Sequence, residues 1–475
     1  MTRFSSEWSR RTFLRGALAT GAIVLPGSGA LVGCASGSGG GQEATEGDKS
    51  DKNPLGVPVD APLEIVIFNG GFGDKYATDV HEPMYKERYP KAKITHLAEV
   101  DIAGTLQSRF VSGNPPDFVN NSGDGQIPLG QMVDQKQLFD LSELYDAPSW
   151  DDPAKKVRDT LVPGNIELGE FDGKPYVLHM ATSIFGIWYN KALFEKNSWE
   201  APTTWEDMLK LCGEIKKAGI APWTYQGVHA RYMSWPLLVM AAKSGGAEIL
   251  TAIDNLEDGA WSHESIQESA AALQQLRTKD FFLAGSEGMD HIQSQAAWSQ
   301  GQAAFVPSGS WLESEQADVT PEGFEFAFMP EPALTKNDKM PKETLRATPG
   351  EPYIVPAKAK NPKGAMEYMR IMLSKEGSQG FTKVANSLTA NQDAATGMTL
   401  PPGLTSAQKA LTAAGDNVVN WFYPTWYKKL ENPAVNSHMQ ELLAGRIDPK
   451  EFSTRCDASA KAIKDDDSIT KYTRK

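Results

Sequence analysis

The chain has 475 residues, a formal net charge of −13, 40% hydrophobic and 23% charged residues, 12 tryptophans and three cysteines. That length exceeds what one hydrophobic core serves and suits two lobes. Such acidity excludes the electrostatic footprint of a nucleic-acid binder or a polybasic membrane contact, and no apolar run past residue 34 is long enough to span a bilayer.

At the N-terminus, Ser9-Arg10-Arg11-Thr12-Phe13-Leu14-Arg15 precedes a soft apolar run, Gly16 to Leu25, and then Leu31-Val32-Gly33-Cys34. Paired arginines ahead of an apolar segment read as a twin-arginine export address. The four-residue ending resembles the lipobox of bacterial lipoprotein precursors. There, small residues admit the signal peptidase and the cysteine thiol receives a diacylglycerol. Gly16 to Leu25 is too short and too glycine-rich to be a membrane span. Residues 1–34 are therefore read as a signal ending at a lipidated Cys34, with the protein anchored on the outer face of the bacterial cell membrane. The other reading is a plain secretory signal with an incidental cysteine. The first 33 residues carry four arginines against one glutamate, so the remaining chain is more acidic still, at −16.

Residues 35–61 are rich in Gly, Ser, acidic residues, Asn and Pro, and are expected to form a flexible tether with a coil reach of about 25–30 Å. Order is expected to begin at the strand Leu63 to Phe68, followed by a helical stretch to Tyr89 that Pro90 stops. A strand from Lys93 to Ala98, an amphipathic segment from Ile102 to Val111 and a third strand at Phe118-Val119 come next. This alternation is the grammar of a parallel α/β sheet, in which ligands lie beyond the carboxyl ends of strands. It directs attention to Asn69-Gly70-Gly71-Phe72 and to Asn120-Asn121-Ser122-Gly123-Asp124.

Farther on, Thr203 or Thr204 caps a helix to Lys217, with acidic residues in its first turn. Gly301 to Val306 reads as a helix end entering a strand, leading to Ser308-Gly309-Ser310-Trp311. Tyr353-Ile354-Val355 reads as a short strand, and Asn361-Pro362 opens a helix to Leu373. From Ala407 the chain reads as helical, with an aromatic knot from Trp421 to Tyr427. Cys212 and Cys456 each fall on an apolar helical face; they are either two buried thiols or a disulfide, which an oxidising compartment permits.

Four runs in this order resemble the solute-binding proteins of carbohydrate ABC importers, the family that includes the maltose-binding protein. They are Ser112-Gly113-Asn114-Pro115-Pro116-Asp117, Tyr189-Asn190-Lys191 with its Pro202-Thr203-Thr204-Trp205 helix start, Gly301 to Trp311, and the Tyr353 strand with its Asn361-Pro362 helix. The resemblance spans Leu63 to the C-terminus. It implies an α/β, two-lobed periplasmic-binding-protein-like fold with a hinge between lobes. One lobe would comprise 62–180 with 350–400, the other 181–349 with 401–475. It further implies a monomer that closes on a sugar and delivers it to the membrane subunits of an ABC permease, driven by an ATPase on another chain. No cofactor, metal or nucleic acid is expected. His179-Met180 stands where relatives carry proline, and Ser198-Trp199 where they carry glycine, which bears on pocket shape. Gly219 to Gly227, with Tyr232-Met233-Ser234-Trp235, is similar to the actinobacterial branch that binds N-acetylglucosamine and chitobiose.

A sugar presents apolar C–H faces and a rim of hydroxyls, so its site needs aromatic platforms beside planar hydrogen-bonding groups. The candidates are Asn69 and Asp124 after strands, Trp188 near the lobe crossing, Tyr225 and Trp235 after the Thr204 helix, and Trp311 beside Gly309. Glu351 before the Tyr353 strand, and Trp421 and Trp426 in the aromatic knot, complete the set. Each aromatic has a packing reading too, and Trp199, Trp205 and Trp298 are read as packing outright. Arg231 is read as a surface ion-pair residue.

The sequence lacks H-E-x-x-H, G-x-S-x-G, G-x-x-x-x-G-K-[ST] and C-x-x-C motifs, and Gly71-Phe72-Gly73-Asp74-Lys75-Tyr76 lacks the third glycine of a dinucleotide fingerprint. The rival to a binding protein is a secreted carbohydrate-active enzyme. It would place two carboxylates about 5–5.5 or 6.5–9.5 Å apart across a sugar.

Overall fold

The computed structural model describes residues 47–474 apart from Asp124 and Pro163. The leader, Cys34 and residues 35–46 of the expected tether lie outside the described residues. Residues 47–61, expected as tether, are instead bound to the body. Leu55 and Val57 are fully buried, and Asn53 accepts hydrogen bonds from Val57 N–H at 2.9 Å and from the Tyr89 hydroxyl at 3.1 Å. Two apolar residues that reach a core outweigh the polar composition around them.

The first three strands are β1 (Leu63–Phe68), β2 (Ile94–Glu99) and β3 (Phe118–Asn120), and β1 pairs in parallel with both others. Between β2 and β3 runs the helix Ile102–Ser112. The Asp101 side chain caps its first turn by accepting from Gly104 N–H, and Gly113 ends it at φ 75°. A separate two-stranded hairpin, β4 (Glu170–Phe171) and β5 (Lys174–Pro175), precedes the long strand β6 (Val177–Asn190). The remaining strands are β7 (Ala221–Trp223), β8 (Ala303–Gly309), β9 (Phe326–Met329), β10 (Leu345–Ile354), β11 (Leu388–Thr389) and β12 (Val418–Val419). Their order in the main sheet is β2-β1-β3-β10-β6-β8-β7, with β9 and β11 also on β6 and β12 on β10.

The parallel reading holds at the first three strands and again for β7 with β8, but β10 runs antiparallel to both β3 and β6, and β6 antiparallel to β8. The departure comes from β6 and β10. β6 has 14 residues and spans roughly 45 Å. Its first part pairs with β10 and its last part with β8 and β9, so one strand links the two ends of the sheet. Nearly all of it is buried on both faces, so Val177 to Trp188 shows no regular alternation of apolar and polar residues. β10 begins at Leu345, eight residues before the expected Tyr353 start. Pro349, Gly350 and Pro352 hide its first half from a propensity reading.

The Thr204 cap is present: its hydroxyl accepts from Asp207 N–H at 3.3 Å, and the helix runs Trp205–Lys217. Past residue 402 the chain is helical in pieces, Pro402–Ala414, Asn436–Leu443 and Pro449–Lys464 being the main ones. Cys212 and Cys456 are both free and buried, which selects the thiol reading over the disulfide. Trp205 and Trp298 are buried, and Trp199 packs edge-on against Phe194.

Candidate functional site

The paired register of β6 and β10 puts Phe185 opposite Arg346, Ser183 opposite Thr348, Ala181 opposite Gly350 and His179 opposite Pro352. With the two-residue period of a strand, these share one face of the crossing ribbon. Two adjoining cavities open over this face. One, of about 400 Å³, is lined by Phe68, Phe72, Ser183, Tyr232, Trp311 and Glu351, together with His229, Arg231, His291 and Glu315. The other, of about 230 Å³, is lined by His179, Arg346, Thr348, Trp421, Lys428 and Glu431, with Leu129, Leu168, Pro349 and Pro424 as apolar wall. Gln126 lines both.

Glu351 sits where the ribbon kinks. Its φ of 52° lies in the left-handed region, costing about 1–3 kcal/mol for a side chain of this size. The half-buried carboxylate is held through one oxygen: Ser122 Oγ donates to Oε2 at 2.7 Å and Asn120 Nδ2 at 3.1 Å. Asn120 is held in turn by the Tyr76 hydroxyl at 3.4 Å, and Tyr353 donates to Tyr76 at 2.7 Å. Burial pushes the Glu351 carboxyl up, and the bonds from Ser122 and Asn120 offset this only in part. The loop after β3 approaches so closely that a Cβ on Gly123 (φ 80°) would lie 2.4 Å from the Phe68 ring, so that position requires glycine.

Across the cavity, Trp311 meets Phe185 edge-on at 5.4 Å, and Tyr232 packs on Trp235 at 4.2 Å. The glycine before Trp311 serves the tryptophan itself, because a Cβ on Gly309 would fall 2.0 Å from its ring. His229 and His291 have ring centroids 5.7 Å apart. Burial raises the Glu315 carboxyl to about 7 against the lowering effect of Gln295, and its Oε2 is buried with no hydrogen-bond partner among the described residues. Arg231, expected in a surface ion pair, is half-buried in this wall with Nη1 3.1 Å from His229 Nδ1.

In the second cavity the Arg346 guanidinium carbon lies 4.0 Å from the Trp421 ring centroid, 4.2 Å from Phe185 and 5.4 Å from Trp235. The Trp421 segment is fixed from below. Asp254 accepts from Phe422 N–H at 2.7 Å and Tyr423 N–H at 2.8 Å, while Arg474 reaches its other oxygen at 2.9 Å. Asn420 ties the segment to β10 by donating to Thr348 Oγ1 at 2.8 Å.

Of the residues expected at a site, Trp311 and Glu351 line the first cavity and Trp421 the second. Trp235 lies between them, packed on Phe185, Tyr232 and Arg346. Asn69 is exposed at the end of β1, next to the lining residues Phe68 and Gly71. Trp188 is fully buried, donating to Ser308 O at 3.1 Å. Tyr225 is buried against Phe282, and Trp426 packs on Phe422 and Tyr472 away from both cavities. Asp124 lies outside the described residues. Sequence reasoning missed Arg346, Tyr232, Gln126 and Ser183. No local signal marks any of the four.

Among the described residues no helix is long and apolar enough to cross a membrane, and no group of three or more His, Cys, Asp or Glu residues is placed to hold a metal. Residues 71–379 match the family model for bacterial extracellular solute-binding proteins. The chain is 36% identical, over 99% of both chains, to the diacetylchitobiose binding protein NgcE of Streptomyces coelicolor. Its fold is similar to the apo form of RafE from Streptococcus pneumoniae (TM-score 0.68, 19% identity, 85% of this chain and 98% of that one). It is also similar to a chitin oligosaccharide binding protein (TM-score 0.65, 20% identity, 85% and 98%). The architecture is that of the two-lobed solute-binding proteins. On the family match and the whole-length likeness together, the chain belongs to the bacterial extracellular solute-binding proteins.

Proposed function

We propose that this protein captures an N-acetylated disaccharide of the diacetylchitobiose type by hinge closure and delivers it to an ABC importer. The observation that carries the reading is the pair of adjoining cavities on one ribbon face, joined at Gln126, with Trp311 and Tyr232 at one end and Trp421 at the other. Two aromatic-walled chambers suit two linked rings, whose apolar faces stack while the rims meet Glu351, Ser183 and Thr348. The likeness to a protein named for diacetylchitobiose supports the choice of sugar.

The lobes divide at about 180, 350 and 400, so β6 and β10 serve as the hinge strands. Ligand drives closure only through its preference for the closed state. The leader exports the folded chain by the twin-arginine route, and a diacylglycerol on Cys34 keeps a monomeric receptor beside its permease at high effective concentration. Thermal unfolding with a panel of mono- and disaccharides tests the reading, because a ligand bound only by the folded state raises the melting temperature. A shift with diacetylchitobiose is expected; shifts with peptides or metal ions and none with sugars would sink it.

One observation favours a second reading, a glycoside hydrolase: the first cavity holds two carboxyls, Glu315 and Glu351, both raised by burial. Release of monosaccharide from bound diacetylchitobiose would establish that reading, and recovery of intact ligand excludes it.

A further inference from the structure

The Arg346 side chain is a buried cation whose donors are not all satisfied. It is 7% exposed, and its Nε and Nη1 are buried with no hydrogen-bond acceptor among the described residues. Glu431, Glu331 and Asp254 favour its charge through space, but none of them supplies an acceptor to Nε or Nη1. Trp421 and Phe185 stabilise the flat faces of the guanidinium, but ring faces accept little from N–H groups at its edge. A buried donor left unsatisfied costs about 1–3 kcal/mol, more when charged, so it is a standing demand for an acceptor. Arg346 lines the second cavity, so an acceptor arriving there with a ligand lies beside the guanidinium.

We propose that Arg346 is a specificity-determining residue that reads the acetamido carbonyl of the bound sugar, setting a preference for acetamido over hydroxyl or free amine at the sugar's 2-position. This rests on the sugar-binding reading above. Three features of the cavity select that group. The donor is planar and cationic, which suits a carbonyl oxygen better than a hydroxyl. Beside it, Leu129, Leu168, Pro349 and Pro424 give an apolar wall that fits the acetamido methyl and offers nothing to a hydroxyl or an ammonium. Glu431 offsets one of the two cationic side chains of the cavity, Arg346 and Lys428, which lowers the pull on an anionic sugar in favour of a neutral acceptor.

The test is calorimetric titration of the purified protein with diacetylchitobiose, its fully deacetylated counterpart, cellobiose and cellobiuronic acid. The same titrations are run on Arg346→Met, Arg346→Lys and Trp311→Ala. The wild type should bind diacetylchitobiose at least tenfold more tightly than each of the others. Arg346→Met should cut that ratio to threefold or less, and Arg346→Lys, which keeps the charge and the fold if Met does not, should also reduce it. Trp311→Ala should weaken diacetylchitobiose and cellobiose together and preserve their ratio. An unchanged ratio in both Arg346 variants overturns the role of Arg346 while leaving the sugar reading intact. Tighter binding of cellobiuronic acid than of diacetylchitobiose overturns the neutral acceptor. Binding of none of the four by the wild type overturns the sugar reading and the subsite with it.

Discussion

Ser122 donates its hydroxyl to the Glu351 carboxylate at 2.7 Å, joining the loop after β3 to the kink in β10 across 229 residues of sequence. Because Asn120 donates to the same oxygen, one side of the carboxylate is committed to the protein and its direction is set before any ligand arrives. Hydrogen bonds to a charged group are worth about 1.5–3 kcal/mol. Glu351→Gln should therefore weaken sugar binding about ten- to a hundredfold. Ser122→Ala should weaken it less, since Asn120 remains. Titration calorimetry of both variants checks this, and equal affinity in Glu351→Gln and wild type would remove Glu351 from the site.

Trp188 and Trp421 separate stability from binding. Trp188 is enclosed beside Phe328 with its indole N–H bonded to Ser308, so Trp188→Ala should cost roughly 3–5 kcal/mol of stability. Affinity of the fraction that folds should change little. Trp421 borders the second cavity, and Trp421→Ala should lower affinity at least tenfold. Denaturant unfolding and binding measured on both proteins distinguish the two roles.

The pH dependence has a sign that can be worked out for Glu315. Burial raises its carboxyl from an ordinary 4.5 to about 7 in the folded chain. Between those values the folded state holds the proton that the unfolded state has released, so stability falls as pH rises through the window. Glu315→Gln should flatten that fall, by no more than about 3 kcal/mol at pH 7.5. The buried histidines His81 and His179, lowered to about 4 by burial, act in the opposite sense. Their contribution is full above pH 6.5 and is lost as pH falls toward 4. The informative quantity is thus the difference between variant and wild type, read from unfolding at pH 5 and 7.5.

Burial also raises the Cys212 thiol to about 12 and pushes the Cys456 thiol well up, so neither is a thiolate near neutrality. In a chain carrying Cys34→Ser, thiol titration should find none reactive in the native protein and two after denaturation. Two silent cysteines in denaturant would instead mean a disulfide.

The readable parts were those governed by local rules. The Thr204 cap and the alternation of strand and helix from β1 to β3 each rest on residues close in sequence, and the structure shows them where the residues imply. Trp188 and Trp426 illustrate the limit: their neighbours in sequence are as aromatic as those of Trp421, yet Ser308, Phe328 and Tyr472 enclose them from distant parts of the chain. Arg346 was invisible for the same reason, since Trp421, Phe185 and Trp235 come from three separate segments.

By itself, then, the sequence determined the α/β elements, their capping and the family, because periodicity, caps and ordered motifs are short-range properties. Tertiary structure alone decided which aromatics face a cavity, that Glu351 is pinned through Ser122, and that Arg346 is a buried cation with two unsatisfied donor atoms. Those depend on the register of β6 against β10 and on chains hundreds of residues apart meeting across that ribbon. Burial, which sets both pKa and stacking, is a property of that meeting and of no single segment.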